Sequence, residues 1–160
     1  MKYLILIRHG KSNWDLPLLD IEREISLKGK ENSYKIANLY TLNPDKFTQI
    51  ITSPAKRTLQ TLKIFLEVWK INQNLISIIP GLYTFNLSNL EEIVKSYANE
   101  FDTLIIFGHN SAITDFVNKF GDVFINNVPT SGLVSIKFET ENWKSIAKGT
   151  TNKILFPSQL

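Results

Sequence analysis

Six short and almost wholly apolar runs recur along this chain, and stretches with helical periodicity separate most of them. Short runs rich in Ile, Leu and Val are typical of strands that are buried on both faces of a sheet. Because alternating strands and helices require crossover connections, the pattern predicts a mainly parallel sheet with helices on both faces. The six predicted strands are Tyr3–Arg8, Thr48–Thr52, Leu75–Ile79, Thr103–Phe107, Leu133–Phe138 and Lys153–Phe156.

Polar residues mark the expected starts of the helices. Ser53 is predicted to be the N-cap of the second helix, with Pro54 at its first helical position. The segment Ser88–Glu91 has the spacing of a capping box at the start of the third helix, and a fourth helix is expected to begin near Asn110. The segment 140–151 is short and has little helical pattern. We therefore expect one of the last two strands to run antiparallel.

The chain has no linker, internal repeat or low-complexity tract, and 43% of its residues are hydrophobic. A length of 160 residues is sufficient for one hydrophobic core, so we expect a single domain spanning residues 1–160. The absence of cysteine excludes disulfides, thiol nucleophiles and thiolate metal sites. Together with apolar runs that are too short for a signal peptide or a membrane span, it indicates a cytoplasmic protein with no membrane partner.

The charge of the chain is modest. It has 18 basic and 15 acidic side chains, a net charge of +3, and its lysines are scattered rather than gathered in a stripe. This distribution argues against a nucleic-acid partner and suits an anionic substrate.

The chain contains only two histidines, and each follows a predicted strand. His9 lies in the sequence Arg8-His9-Gly10, and His109 lies in the sequence Gly108-His109-Asn110. Ligands bind at the carboxyl edge of open α/β sheets, so the two imidazoles are predicted to meet across one crevice. Arg8 adds a planar, permanently charged group that suits phosphate or carboxylate oxygens. The sequence therefore predicts an anion site beside an imidazole.

The order of these motifs resembles that of the histidine phosphatase superfamily, which includes phosphoglycerate mutases. The Arg-His-Gly motif follows the first strand, the Ser-Pro motif stands at the head of a helix, and the second histidine follows a later strand. Additional short motifs are similar to those of the SixA-type phosphohistidine phosphatases. The residues that carry the resemblance are Arg8–Gly10, Lys11–Asp15, Asp20-x-x-Arg23, Leu27-x-Gly29, Ser53–Thr61, Gly81–Tyr83, Gly108–Asn110 and Asn127–Gly132.

The resemblance implies a three-layer α/β/α fold of the phosphoglycerate mutase-like kind, with a six-stranded, mostly parallel sheet whose fifth strand is antiparallel. It implies that His9 is the nucleophile that takes up the phosphoryl group and that His109 is the second catalytic imidazole. Arg8 and Arg57, with Arg23 as a further member, would bind the phosphate. No metal or other cofactor is implied.

The segment after the third predicted strand departs from the mutase pattern. Mutases and larger acid phosphatases of the superfamily place a carboxylic acid there to protonate the leaving oxygen, but Pro80–Asn86 contains none. Phosphohistidine needs no such acid, because its free ring nitrogen can take a proton from solvent. The chain also lacks inserted segments that would form a lid over a small metabolite. We therefore expect a phosphatase that acts through a covalent phosphohistidine on a phosphorylated substrate, in particular a protein that carries phosphohistidine.

Three other functions compete with this interpretation. A small-molecule phosphomonoesterase of the same superfamily would use the same residues, and a non-catalytic phosphate-binding module would retain the fold without turnover. A metal-dependent hydrolase would use His9 and His109 as ligands. Two nearby arginines would repel a divalent cation, and no carboxylate adjoins either histidine, so the residues disfavour the metal site.

Overall fold

The computed structural model describes all 160 residues, and it has the six predicted strands in the predicted order. Strand ends differ from the sequence-based prediction by three residues at most. The strands are β1 (Lys2–Arg8), β2 (Thr48–Thr52), β3 (Ile76–Ile78), β4 (Thr103–Gly108), β5 (Leu133–Phe138) and β6 (Thr150–Leu155). The helices are α1 (Leu27–Leu39), α2 (Lys56–Trp69), α3 (Leu87–Lys95) and α4 (Ala112–Phe120).

The six strands form one mixed sheet in the order β3-β2-β4-β1-β5-β6. The neighbours β3, β2, β4 and β1 pair in parallel, whereas β5 pairs antiparallel with both β1 and β6. The predicted six-stranded, mostly parallel sheet with one antiparallel strand is therefore confirmed. The connection between β5 and β6 contains no α-helix, so it cannot provide the crossover that a parallel pair requires.

Helices cover both faces of the sheet, which makes the fold a three-layer α/β/α sandwich. Alternate residues of the central strand β1 point to opposite faces, as the pleat requires. Leu4 and Leu6 pack with α3 and α4 on one face, while Ile5 and Ile7 pack with α1 and α2 on the other. All four side chains are buried, which explains why this strand appears in the sequence as a continuous apolar run.

Two of the predicted helix starts are wrong. Helix α2 begins at Lys56 rather than at Ser53-Pro54, and the hydroxyl of Ser53 accepts a hydrogen bond from the N–H of Ala55 in the loop. Helix α3 is capped by Asn86 instead of Ser88, because the Asn86 side chain accepts from Asn89 N–H at 3.0 Å. Asn is as good an N-cap as Ser, and because Asn86 precedes Ser88 in the chain, the helix begins after Asn86.

The helices are short. None of them is long and apolar enough to cross a membrane.

Candidate active site

The two histidines lie side by side at the carboxyl edge of the sheet. Strands β1 and β4 are parallel neighbours, with Arg8 opposite Gly108 in the register, so the residues that follow them leave the sheet together. The ring centroids of His9 and His109 are 5.3 Å apart. The predicted meeting of the two imidazoles is present in the structure, and it follows from the parallel pairing of the two strands.

The tautomer of His9 is set by its backbone partner. Its Nδ1 atom lies 2.7 Å from the carbonyl oxygen of Gly10, and a carbonyl can only accept, so Nδ1 carries the proton. The Nε2 atom is consequently unprotonated, and its lone pair accepts a hydrogen bond from Nε–H of Arg57 at 3.4 Å. This is the arrangement that an imidazole nucleophile needs.

His9 is 8% exposed, and burial lowers its pKa to about 4. The hydrogen bond to Gly10 opposes this shift, while the positive charges of Arg57, Arg8 and Arg23 increase it. A buried imidazole beside guanidinium groups loses its charged form for both reasons. His9 is therefore neutral at pH 7, with Nε2 unprotonated.

Arg57 lies in the first turn of α2 and places its guanidinium between the two imidazoles. Besides the contact with His9, its Nη2 atom lies 3.5 Å from Nδ1 of His109. Nη1 donates to the carbonyl oxygen of Asp20 at 2.6 Å, and Nη2 donates to the carboxylate of Asp20 at 3.0 Å. The side chain is almost fully buried, so its guanidinium has few alternative orientations.

His109 is enclosed by polar and aromatic groups. Its Nε2 atom shares a hydrogen bond with the Ser53 hydroxyl at 2.8 Å, and the rings of Tyr83 and Phe85 meet it edge-on at 5.4 Å. Burial lowers the pKa of His109 to about 3. His9 and the positive charges of Arg57 and Arg8 contribute to this lowering, against the opposing effect of the Asp20 carboxylate. His109 is therefore also neutral at pH 7.

The other two predicted arginines line the same cleft. Arg8 donates from Nη1 to the carbonyl oxygen of Val128 at 2.9 Å. Arg23 donates from Nη2 to the hydroxyl of Ser12, and its guanidinium lies 3.0 Å from the ring centre of Trp14. The Nε donors of Arg8 and Arg23 are both buried without a hydrogen-bond partner in the protein. A buried donor without a partner is costly, and an anion in the cleft would supply one.

The cleft has a volume of about 300 Å³. Four of the five predicted site residues line it, and His109 lies directly behind them against His9. The structure therefore brings all five together. The residues that line the cleft are Arg8, His9, Lys11, Ser12, Trp14, Asp20, Arg23, Arg57, Phe85, Asn110 and Thr130.

Several residues that the sequence does not assign to the site also belong to it, and among them Ser53, Tyr83 and Asp20 contact the predicted histidines or arginines. The sequence predicts a helix cap at Ser53, and it contains Tyr83 and Asp20 only as parts of short motifs. The carboxylate of Asp20 accepts hydrogen bonds from Arg57, Arg23 and the Tyr83 hydroxyl. The spacing Asp20-x-x-Arg23 was the one signal in the sequence that could have identified Asp20.

The carboxylate of Asp20 is unsuited to donate a proton at neutral pH. Partial burial raises its pKa, but the hydrogen bonds from Tyr83, Arg57 and Arg23 outweigh burial and bring the pKa to about 2. The cleft thus contains a carboxylate but no carboxylic acid, in keeping with the absence of an acidic residue from Pro80–Asn86. No group of three or more His, Cys, Asp or Glu side chains lies in an arrangement that could hold a metal ion.

Comparison with known protein families agrees with this geometry. The family model of the histidine phosphatase superfamily (branch 1) matches residues 4–104. The matched region contains His9, Arg23 and Arg57, and it ends before His109. The place of His109 in the site therefore depends on the fold and on its contacts with Ser53 and His9.

Individual relatives match over part or all of the chain. An uncharacterized chloroplastic protein of Arabidopsis thaliana is 30% identical over 116 residues, which cover 67% of this chain and 53% of the relative. A 2,3-bisphosphoglycerate-dependent phosphoglycerate mutase of Dichelobacter nodosus is 28% identical over 114 residues, which cover 62% of this chain and 44% of the relative. The chain thus spans about half the length of the curated relatives that it matches. The solved structure of the protein histidine phosphatase SixA complexed with tungstate has the same fold, with a TM-score of 0.79 at 18% identity over 98% of both chains.

Proposed function

The chain belongs to the histidine phosphatase superfamily, branch 1, and from this premise we propose that it is a metal-independent phosphatase that acts through a covalent phosphohistidine. One observation carries the proposal: the unprotonated Nε2 atom of His9 faces a cleft lined by three guanidinium groups. Phosphoryl transfer needs an in-line nucleophile and donors that stabilise charge on the equatorial oxygens. His9 supplies the first, and Arg8, Arg23 and Arg57 supply the second.

The reaction has two displacements at phosphorus. In the first, Nε2 of His9 forms a bond to phosphorus while the bond from phosphorus to the leaving atom breaks, and the leaving group takes a proton from solvent. In the second, water attacks the phosphohistidine, the P–N bond breaks, and inorganic phosphate leaves as the water gives up its proton. In the proposal Nδ1–H of His109 donates to a phosphoryl oxygen, which requires the tautomer in which the Ser53 hydroxyl donates to Nε2. Nη2 of Arg57, which can only donate, lies 3.5 Å from Nδ1 and favours the other tautomer until a phosphoryl oxygen engages Arg57.

The absence of an acid favours phosphohistidine as the substrate. Asp20 is held ionised, so no carboxylic acid is available to protonate a departing alkoxide. The imidazole of a phosphohistidine can instead be protonated by solvent at its other ring nitrogen and leave as a neutral group. The fold shared with the protein histidine phosphatase SixA agrees with this class of substrate.

The mouth of the cleft suits a protein that carries the phosphoryl group. Trp14 and Phe85 line the cleft with exposed fractions of 74% and 50%. Leu16 and Leu19 lie in the same loop as Trp14 and are 57% and 69% exposed. Such a concentration of exposed apolar side chains beside a charged cleft is typical of a surface that contacts another protein.

A substrate panel tests the proposal. We expect a phosphohistidine-bearing protein to be hydrolysed with higher kcat/KM than an aryl phosphate, and sugar phosphates to be the poorest substrates. Activity should persist in excess chelator, because guanidinium groups rather than a cation neutralise the phosphate. A preference for sugar phosphates would indicate a small-molecule phosphomonoesterase, and binding of phosphate without any turnover would indicate a binding module. Loss of activity on chelation, restored by one divalent ion, would indicate a metal hydrolase.

A further inference from the structure

Asp20 connects three segments of the chain at the cleft. It begins the 3₁₀ turn Asp20–Glu22. Its Oδ2 atom accepts hydrogen bonds from Nη2 of Arg57 at 3.0 Å and from the Tyr83 hydroxyl, and its Oδ1 atom accepts from Nη1 of Arg23 at 3.1 Å. Its backbone carbonyl accepts a further bond from Arg57. One residue therefore contacts two of the three guanidinium groups that line the cleft.

The contacts of Arg57 divide between two edges of its guanidinium. Nη1 and Nη2 at one edge are held by Asp20, whereas Nε and Nη2 at the other edge face the imidazoles of His9 and His109. The guanidinium is planar and its five N–H donors are fixed relative to one another. Fixing the first edge consequently aims the second at the position of a phosphoryl group bonded to His9.

Arg23 is oriented in a similar way. Nη1 is held by Asp20 and Nη2 by the hydroxyl of Ser12, while the ring of Trp14 covers one face of the guanidinium. These contacts occupy the terminal nitrogens and leave Nε as the buried donor without a protein partner. Asp20 is the acidic residue in contact with both arginines.

We propose that Asp20 is a positioning residue for phosphoryl transfer, which holds Arg57 and Arg23 so that the donors it does not occupy are directed at the transferring phosphoryl group. This inference rests on the proposed phosphatase function. It gives Asp20 no contact with the reacting atoms, because its carboxylate contacts Arg57, Arg23 and Tyr83 and neither histidine. It also assigns Tyr83 a supporting part, because the Tyr83 hydroxyl fixes the same carboxylate oxygen that Arg57 contacts.

The main effect of Asp20 should be on catalysis rather than on folding. Its side chain is 44% exposed, and ion pairs that are partly open to water contribute little to stability. The effect on the reaction rate should be larger than the effect on stability. A small misplacement of a charged donor relative to the transition state reduces the rate strongly. The carboxylate also repels an anionic substrate, so its removal should not weaken ground-state binding. Asp20 should therefore affect kcat more than KM.

Asp20→Asn tests the proposal. An amide has one accepting atom in place of two, and its NH₂ group would face a guanidinium donor. With an aryl phosphate, we expect kcat to fall by about 10- to 100-fold with KM unchanged or lower. The affinity for vanadate, which imitates the transferring group, should fall by a similar factor, while the affinity for inorganic phosphate should not.

Glu24→Gln is the matched control. Glu24 lies on the same segment and pairs with Lys56 of α2 at 2.8 Å, but it contacts neither Arg23 nor Arg57 in an ion pair. This variant should retain both kcat and vanadate affinity. Should Asp20→Asn fail to fold, Asp20→Glu retains the charge and displaces the carboxylate by one methylene, and it should show the same loss of kcat.

The outcomes separate the two proposals. A wild-type protein that hydrolyses none of the substrates would defeat the proposed function, and the ratio of vanadate to phosphate affinity would still test Asp20. An Asp20→Asn variant whose kcat and vanadate affinity equal those of the wild type would overturn the positioning role, as would a loss confined to KM. A loss of kcat equal in Glu24→Gln and Asp20→Asn would also overturn it.

Discussion

The Nε–H group of Arg57 faces the unprotonated Nε2 atom of His9 at 3.4 Å. The two residues come from different parts of the fold, since His9 follows β1 and Arg57 lies in the first turn of α2. A phosphoryl group bonded to Nε2 would place its oxygens within reach of the guanidinium edge. Arg57 is therefore close enough to His9 to stabilise the phosphohistidine that would form there.

Replacing Arg57 by Lys should be costly although the charge is retained. A lysine ammonium cannot reproduce the planar edge that spans His9 and His109, nor can it keep two bonds to Asp20. We expect kcat/KM for an aryl phosphate to fall by about 10²–10³-fold. The neighbouring substitution Lys56→Arg, at an exposed position, should leave the kinetics unchanged. Nearly unaltered kinetics in Arg57→Lys would remove this residue from the site.

The two histidines should titrate well below the ordinary range. Burial lowers the pKa of His9 to about 4 and that of His109 to about 3. They are the only histidines of the chain, so imidazole NMR signals can be assigned with the single variant His109→Gln. Neither signal should show a titration midpoint above about pH 5 in the absence of phosphate. A midpoint near 6.5 for His9 would mean that its lone pair is not held free by the site.

The same shifts predict a loss of stability in acid. In the unfolded chain both imidazoles have the ordinary pKa of 6.5, so the unfolded state binds protons between pH 6.5 and 4 that the folded state does not. The free energy of unfolding should therefore be largest above pH 6.5 and should fall as the pH is lowered through this window. Denaturant unfolding at several pH values measures it. The double variant His9→Gln, His109→Gln should have a shallower dependence, and an equal slope would contradict the assignment.

Much of the site is predictable from the sequence because it depends on strand ends. Apolar runs indicate where β1 and β4 lie, and parallel neighbouring strands bring the residues after them together. The strand pattern therefore predicts that His9 and His109 lie close together. The position of Arg57 follows from the helix that comes after β2. The antiparallel β5 was likewise indicated by the break in the alternation of strands and helices.

The remaining part of the site depends on how a loop folds back over the sheet edge. Asp20 reaches Arg57 across 37 residues and Tyr83 across 63, and no local pattern encodes those contacts. Ser53 shows the opposite difficulty, because its local context suggested a helix cap while the structure directs its hydroxyl to His109. Local propensities identify a suitable role for a side chain, but tertiary contacts decide which role it takes.

A substitution at the mouth should separate protein substrates from small ones. Leu16 lies in the loop between Trp14 and Asp20, both of which line the cleft, and it is 57% exposed. Leu16→Ser should lower kcat/KM for a phosphohistidine-bearing protein several-fold, because an apolar contact is lost, and leave that for an aryl phosphate unchanged. Leu75→Ser, at an exposed apolar position near the opposite edge of the sheet, is the control. Equal kinetics of both variants with the protein substrate would argue against a protein-contacting role for the loop.

The two imidazoles should not be equivalent, although their settings in the sequence are alike. Nε2 of His9 is unprotonated and faces the cleft, whereas Nε2 of His109 is engaged by Ser53. A labelled phosphoryl donor quenched in alkali should therefore trap a phosphoenzyme that is stable in base and labile in acid, as expected for a P–N bond. His9→Ala should abolish the label completely, because it removes the proposed nucleophile.

His109→Ala should give a different result. Loss of one donor to the phosphoryl oxygens should slow labelling by about 10²–10⁴-fold, yet the label should still map to His9. Ser53→Ala should slow it less, because it removes only the hydroxyl that contacts Nε2 of His109 and leaves the imidazole in place. A labelled peptide that contains His109, or full labelling of His9→Ala, would reverse the two roles. Slow labelling in His109→Ala with an unchanged site of attachment would establish His9 as the nucleophile.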